Sequence, residues 1–360
     1  MEKTNLCRWF MGCNSQNGFY SLFGQFARPE EGWHCILIKG GPGTGKSTLM
    51  KRVVRLAQRR GQPVEAIHCS SDAASLDGVI LPRMKTVLLD ATPPHALEPQ
   101  YPGAVEQPFS LCECWNEEML SAQREEIVRL GEEIGGLHRQ TVRYLTGAGA
   151  LLGEARQLEA ETIDTEKLKQ YVRRLAAREL PPQEKGGHET LRLLSAVTDR
   201  GTILFHETIS TLCSRVFCLE DPYGAVAAEL LRQLRDEAME RGYHVISCPC
   251  PLSPEKLDHL LIPERGLGFI TSNALHPAPL AGQAIHASRF TNRTLTKERR
   301  VRLRFLQKTA ATLQQQAEGA ITEAHRRHNQ LERYYIKATD FAAVDQRTAK
   351  LLEKLEAQMA

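Results

Sequence analysis

The sequence lacks a long hydrophobic run. Its longest apolar stretches have the length of a β-strand, far short of the roughly 20 residues that span a bilayer. It also lacks the apolar N-terminal segment that is typical of a signal peptide, so we expect a cytoplasmic protein with no membrane partner. Ten cysteines in such a chain are more typical of free thiols than of a disulfide framework.

An excess of charge of one sign is also missing. The 46 basic and 43 acidic residues give a net charge of +3, which is too small to indicate a nucleic-acid partner. Hydrophobic residues make up 42% of the 360 residues, which is enough to build a core, and this length is typical of two domains. One local basic cluster could contact a polyanion, although such clusters are usually solvated. It consists of Lys297, Arg299, Arg300, Arg302 and Arg304.

Two kinds of segment alternate along the chain. Short apolar runs with Gly and Pro turns are followed by Glu-, Arg-, Leu- and Ala-rich segments that are typical of helices, and this order occurs twice. At an offset of 181 positions, residues 57–95 match residues 238–276 without a gap, with nine identical pairs. The same offset pairs Ile163-Asp164 with Val344-Asp345. We therefore predict a tandem duplication, with two unrelated α/β domains as the alternative.

The most specific motif lies in ILIKGGPGTGKSTLMKRVVRLAQRRG (36–61), where G-x-x-x-x-G-K-S stands between an apolar strand and a helical pattern. Glycines let the main-chain amides converge on phosphate oxygens, and the helix adds its positive dipole end. We expect Lys46 to bridge the β- and γ-phosphates of ATP, and the Ser47 hydroxyl to bind Mg²⁺. The predicted nucleotide-binding residues are Gly40, Gly41, Pro42, Gly43, Thr44, Gly45, Lys46, Ser47 and Thr48.

A second metal ligand is expected at the end of another buried strand. The apolar run TVLLD ends in Asp90, whose carboxylate would hold Mg²⁺ through water. The hydrolytic residue is less well defined, because Ala91 follows in place of the glutamate that many P-loop ATPases have. Asp72, Asp77 and His95 are the candidates. Asp72 is our choice for positioning the water, because the other two recur in the second half of the chain.

The second half has lost the residues of this motif. Its matching segment reads VFCLEDPYGAVAAELLRQL (216–234), so we predict one nucleotide per chain, with the second half as a scaffold or pseudo-dimer partner. Aligned on Pro222, it has Glu220 and Asp221 in place of Gly40 and Gly41, Val226 and Ala227 in place of Lys46 and Ser47, and Thr271 in place of Asp90. Arg200 and Arg265 are candidates for an arginine that reaches the γ-phosphate in trans.

The predicted fold is α/β, with tandem P-loop NTPase-like domains that are three-layer α/β/α sandwiches, each followed by a helical hairpin. The predicted boundaries are 1–114 for the active core, 115–180 for its hairpin and 181–191 for a linker, then 192–291 for the degenerate core and 292–360 for its hairpin.

Four segments, RWFMGCNSQNGFYSLF, ILIKGGPGTGKSTLM, HCSSDAASLDGVILP and DATPPH, resemble an uncharacterised bacterial family of tandem-repeat P-loop ATPases. Its members are often labelled ATPase or nucleotide kinase. The resemblance covers nearly the whole chain and is most specific over residues 8–95. It implies ATP binding at Gly40 to Thr48 and Asp90, and it supplies no substrate. Members often look able to bind nucleotide in both repeats, and this sequence departs from that pattern in its second half.

The sequence therefore predicts a Mg²⁺-dependent ATPase with one working site. A nucleotide or small-molecule kinase is the first alternative, because the missing glutamate after Asp90 suits an acceptor hydroxyl in place of water. A non-catalytic nucleotide-dependent switch is the second alternative. The absence of N-K-x-D favours ATP over GTP. Besides ATP, we expect a partner that is either a phosphate acceptor or a protein, and the sequence does not identify it. The sequence is also compatible with an oligomer.

Overall fold

The computed structural model describes residues 6–26, 29–93, 97–273, 277–278 and 282–359. Over these residues the chain is α/β, with two six-stranded sheets of mixed parallel and antiparallel strands. The strands of the N-terminal half are β1 (Leu6–Phe10), β2 (Gly12–Ser15), β3 (Gly18–Ser21), β4 (His34–Lys39), β5 (Val64–His68), β6 (Leu76–Leu81), β7 (Thr86–Asp90) and β8 (Glu106–Ser110). Its helices are α1 (Lys46–Arg59), α2 (Glu117–Ser121), α3 (Arg124–Ala160) and α4 (Thr165–Glu179).

The C-terminal half has a similar order of elements, with an added helix after its third strand and two helices instead of three after its last strand. Its strands are β9 (His188–Leu191), β10 (Ser195–Thr198), β11 (Gly201–Leu204), β12 (Arg215–Glu220), β13 (His244–Pro249), β14 (Leu257–Ile262), β15 (Leu267–Ser272) and β16 (Gln283–His286). Its helices are α5 (His206–Leu212), α6 (Ala225–Glu240), α7 (Arg293–Ala338) and α8 (Phe341–Met359). Short 3-10 turns lie at Phe23–Phe26, Pro29–Glu31, Pro82–Met84, Cys112–Cys114, Pro263–Arg265 and Ala287–Arg289.

The two sheets have the same strand order. The first runs β1-β5-β6-β7-β4-β8 and the second β9-β13-β14-β15-β12-β16. In each sheet the third strand, β6 or β14, is antiparallel to both neighbours, and the other pairs are parallel. In both halves, the glycine-bearing loop follows the strand next to the sheet edge, β4 or β12, and leads into the helix that covers the sheet.

Side chains alternate between the two faces of each sheet, as strand geometry requires. Along β4, Ile36 and Ile38 pack with α1 and α8 on the outer face. Cys35 and Leu37 belong instead to a core that also includes Ile246 and other residues of the C-terminal half. The inner faces of the two sheets therefore share one hydrophobic core.

This shared core differs from the three-layer sandwich that we predicted for each half. Long helices cover only the outer face of each sheet, and the inner faces meet through the hairpins β2-β3 and β10-β11 and the short helix α5. The stacked rings of Phe10 and Phe205, 4.7 Å apart, lie in this core. Large apolar side chains on the inner faces need a partner surface, and the other half provides it.

The helices that follow each sheet pack differently from the two hairpins that we expected. Helices α3 and α7 run antiparallel along each other, with Glu154 paired to Arg302 at 2.8 Å and Glu133 to Arg327 at 3.3 Å. Helix α4 then packs on α6, and α8 packs on α1. The 37 residues of α3 form a helix about 55 Å long, which carries the chain past its own sheet. Each terminal helix therefore covers the sheet of the other half.

Two details of the predicted organisation also change. The linker predicted at 181–191 ends earlier, because His188–Leu191 is the edge strand β9, paired with β13. The helices α4 and α8 begin at the capping residues Asp164 and Asp340, so these two aspartates correspond, not Asp164 and Asp345. Among the described residues, no helix combines the length and apolarity needed to cross a membrane.

Candidate functional site

The predicted phosphate-binding loop connects β4 to α1. Gly43 and Gly45 adopt positive φ angles of 68° and 95°, a conformation that side chains with a Cβ atom rarely adopt. A Cβ atom on Gly40 would lie 2.8 Å from the Thr44 hydroxyl oxygen. The loop therefore favours glycine at all three positions. At Gly43 and Gly45 the reason is the positive φ angle, and at Gly40 it is the lack of space for a Cβ atom.

Lys46 lies at the start of α1 and folds back over this loop. Its ammonium group donates to the carbonyl oxygens of Gly40 and Gly41, each at 2.8 Å, and lies 3.7 Å from Oδ2 of Asp90. Asp90 comes close because β7 pairs with β4 in parallel, so that both strands end at the same edge. The structure thus brings together Lys46 and Asp90, which are 44 positions apart in the sequence.

The Asp90 carboxyl group is largely buried. Burial raises the pKa of Asp90, and Lys46 and the Thr92 hydroxyl lower it. Thr92 donates to Oδ1 through both its amide, at 3.0 Å, and its hydroxyl, at 2.5 Å. One carboxylate oxygen is therefore held by the chain, and the other faces the lysine.

Ser47 lies in the first turn of α1, next to the start of β6. Its hydroxyl oxygen accepts a hydrogen bond from the Leu76 amide at 3.0 Å. The next residue, Asp77, is buried, and its charge raises the pKa of Asp90. Ser47, Asp77 and Asp90 therefore converge beside Lys46.

We had ranked Asp77 below Asp72 because an aspartate recurs at the matching position, Asp258. In the structure, Asp258 forms an ion pair with Lys256, and the residue at that lysine's position in the N-terminal half is Ser75. The recurring aspartates thus have different neighbours. The sequence contained this signal two residues away, and our ranking did not use it.

Asp72 lies in the loop between β5 and β6. Its Oδ1 accepts from the Ala74 amide at 3.0 Å, and its Oδ2 accepts from the Ser75 hydroxyl at 2.5 Å. Both carboxylate oxygens therefore stabilise the turn that contains them. The third candidate, His95, lies outside the described residues.

The side chains present fit a Mg²⁺-nucleotide. The Ser47 hydroxyl and the Asp90 carboxylate are hard oxygen donors, and the remaining magnesium ligands would come from phosphate and water. Among the described residues, no group of three or more His, Cys, Asp or Glu side chains could hold a metal ion on its own.

Helix α7 covers the loop, which the sequence analysis did not predict. A Cβ atom on Gly41 would lie 2.6 Å from the Tyr335 ring, and one on Gly43 would lie 2.9 Å from Ile336. Trp115 contacts the Tyr335 ring edge-to-face, with centroids 5.8 Å apart. No local sequence pattern links these residues to the loop, because α7 follows the second sheet.

The corresponding loop of the C-terminal half is two residues shorter. It spans 221–224, against 40–45, because α6 begins at Ala225 after Gly224, whose φ of 85° resembles that of Gly45. Counted from the helix start, Ala225 and Val226 correspond to Lys46 and Ser47, so our alignment was wrong by one residue. Val226 is a buried core residue, and its substitution would test packing.

Two carboxyl groups occupy the start of α6. Asp221 accepts from the amides of Gly224, at 2.9 Å, and Ala227, at 2.7 Å, and also from that of Tyr223. Glu159 of α3 accepts from the Ala225 amide at 3.0 Å. Burial, followed by the charge of Asp221, raises the pKa of Glu159 to about 9, so this carboxyl group is protonated at neutral pH. The amides that would face a phosphate here are bound to the chain's own carboxyl groups.

The structure also places Thr271 and the two arginines that were candidates for reaching the γ-phosphate. Thr271 lies where Asp90 does in the first sheet, since β15 pairs with β12 in the matching register. Arg265 donates to the Glu179 carbonyl oxygen at the end of α4, and Arg200 lies 3.9 Å from Asp199. In the basic cluster, Arg302 pairs with Glu154 of α3.

Comparisons of this chain with protein-family models, with curated proteins and with solved structures gave no match.

Proposed function

We propose that the chain binds one Mg²⁺-ATP at residues 40–48 and Asp90, and hydrolyses it. The observation that carries this proposal is the position of the Lys46 ammonium group, held at a glycine-rich loop and beside the buried Asp90. A lysine at such a loop neutralises the charge of phosphate groups, and the first turn of the following helix adds main-chain donors.

The residues of the site have distinct roles in this proposal. Ser47 and Asp90 would hold Mg²⁺, which supplies neutralisation of the phosphate charge. Burial raises the pKa of Asp90, and the charge of Lys46 offsets part of this rise. Asp77 lies beside these groups and is our structural candidate for orienting the attacking water, while Asp72 remains the candidate that the sequence favours.

We also propose that the two halves arose by duplication and that the second has lost nucleotide binding. The matching strand orders support the duplication. Crossed hydrogen bonds support it too. The main-chain amide of Asn116 donates to the Ala338 carbonyl oxygen at 2.8 Å. The main-chain amide of Asn292 donates to the Thr162 carbonyl oxygen, also at 2.8 Å. Such reciprocal contacts are typical of a two-fold interface, here within one chain.

A kinase is favoured by one observation. The residue after Asp90 is the buried Ala91, so no glutamate stands there to activate water. An acceptor hydroxyl could take the place of the water in the same site. A switch that binds ATP without turnover would use the same loop and lack both activities.

Calorimetric titration with Mg²⁺-ATP, followed by phosphate release on the same sample, tests the proposal. We expect a stoichiometry near one with measurable phosphate release. A stoichiometry near two would contradict the loss of the second site. Binding without release would favour the switch, and release of ADP only when an acceptor is added would favour the kinase.

A further inference from the structure

The end of α7 and the glycine-rich loop pack without a gap. A Cβ atom on Gly43 would lie 2.9 Å from the Ile336 side chain and 3.2 Å from the Cβ of Glu332. On Gly41 it would lie 2.6 Å from the ring of Tyr335. A side chain on either glycine would therefore collide with α7, which shows that the loop lies directly against the end of this helix.

Glu332 also brings a negative charge to this contact. The Glu332 Cβ would lie 3.2 Å from a Cβ atom on Gly43, and the Glu332 Oε1 lies 3.5 Å from His328 Nε2. His328 and the Gly43 amide both lower the pKa of Glu332, so the carboxylate is ionised at neutral pH. The Gly43 amide belongs to the loop whose amides are predicted to bind phosphate. An ionised carboxylate thus lies next to a donor that a phosphate group would need.

The C-terminal half has a comparable contact in a buried form. Glu159 of α3 accepts from the Ala225 amide at the start of α6 and is 3% exposed. The Glu332 side chain is 31% exposed and remains in contact with water. In each half, the long helix that follows the other sheet places a carboxyl group beside the loop. Of these two carboxyl groups, the one at the first loop is exposed enough for a phosphate group to replace it.

We propose that the end of α7 is a competing lid, in which the Glu332 carboxylate and a nucleotide phosphate exclude each other at the Gly43 amide. The inference rests on the nucleotide site proposed above. Two negative groups at one donor repel each other strongly in a site partly shielded from water. Nucleotide binding therefore releases the end of α7 from the loop, and the pairing of α7 with α3 carries this change to the C-terminal half.

The substitution Glu332→Gln tests the competition, because it removes the charge and keeps the size of the side chain. The matched control is Glu323→Gln on the same helix, whose carboxylate pairs with Arg326 and Arg327 on the surface. By calorimetry with Mg²⁺-ATP, we expect Glu332→Gln to bind roughly tenfold more tightly than the wild type, and the control to bind within about twofold. Thermal unfolding of both variants verifies that they fold.

Hydrogen exchange gives a second readout that does not depend on affinity. We expect the amides of residues 330–338 to exchange faster in the wild type when Mg²⁺-ATP is added, since the contact with the loop is lost. Slower exchange, or an affinity of Glu332→Gln equal to or below that of the wild type, would overturn the competition and leave the nucleotide site intact. No binding by the wild type or by either variant would overturn the nucleotide site and the lid together.

Discussion

The loops after β4 and β12 stand in the same strand–loop–helix frame and differ in what their amides bind. The first is six residues long and leads to Lys46, and the second is four residues long and begins with Asp221. Three amides of the second loop and helix donate to the Asp221 carboxylate. An unpaired buried amide costs about 1–3 kcal/mol, so a helix start that has no external anion is more stable with an internal one.

The same comparison extends to the helices that cover the loops. Tyr335 and Glu332 of α7 lie on the first loop, while Glu159 of α3 is buried at the second. The first loop is covered by the partly exposed Glu332 side chain, and the second by the buried carboxyl groups of Glu159 and Asp221. In the proposed function, the first half exchanges a ligand, whereas the buried carboxyl groups of the second half stabilise the fold. Four substitutions test this difference.

The largest effect is expected from Asp221→Ala, which leaves three main-chain amides without their acceptor. We expect the free energy of unfolding to fall by about 3–5 kcal/mol, measured by urea denaturation. Glu220→Ala is the control, because its exposed carboxylate pairs with His286 at the surface, and it should change stability by less than about 1 kcal/mol. Similar losses from both substitutions would contradict the role of Asp221 as an internal anion.

The next effect is expected from Lys46→Ala, which removes the only lysine that contacts Asp90 in the described part of the chain. We expect Mg²⁺-ATP affinity to fall by about 100-fold, or roughly 3 kcal/mol, by calorimetry. Lys51→Ala on the exposed side of the same helix should leave the affinity within about twofold. An affinity of Lys46→Ala within about threefold of the wild type would remove the basis for the first loop as a nucleotide site.

A smaller effect is expected from Glu159→Gln, and it depends on pH. Glu159 holds its proton up to about pH 9 in the folded protein, against an ordinary pKa of 4.5. Between these values the folded state binds more protons, so wild-type stability falls as pH rises, by at most about 1.4 kcal/mol per unit. Glutamine does not titrate. Urea denaturation at pH 6 and at pH 7 should therefore show the variant gaining about 1–2 kcal/mol on the wild type over this unit of pH, and equal changes in the two proteins would contradict the raised pKa.

The smallest effect is expected from Asp72→Asn, because both oxygens of this carboxylate already stabilise a turn. We expect ATP affinity and phosphate release within about threefold of the wild type, with a loss of stability of about 1 kcal/mol. Asp77→Asn is the matched variant and should lower phosphate release by about tenfold or more at unchanged affinity. The reverse order of effects would identify Asp72 as the residue that orients the water.

Much of the first site could be predicted from the sequence, because its parts are local. The strand before Gly40 and the helix after Gly45 are both visible as apolar patterns, and Asp90 ends a third apolar run. Parallel neighbours in a sheet end at one edge, so these runs place Lys46 near Asp90. The loss of these residues in the second half could be read in the same way, although the helix there starts one residue earlier than the alignment assumed.

The sequence by itself determined the alternation of sheets and helices, the glycine-bearing loop and the charge that faces it, since each depends on residues close together in the chain. Only the tertiary structure decided that the inner sheet faces share one core, that α4 and α8 exchange sheets, and that Glu159 and Glu332 reach the loops. These contacts join residues separated by 60 to almost 300 positions. They depend on how far two long helices carry the chain, and a side chain's identity says nothing about which distant surface it will meet.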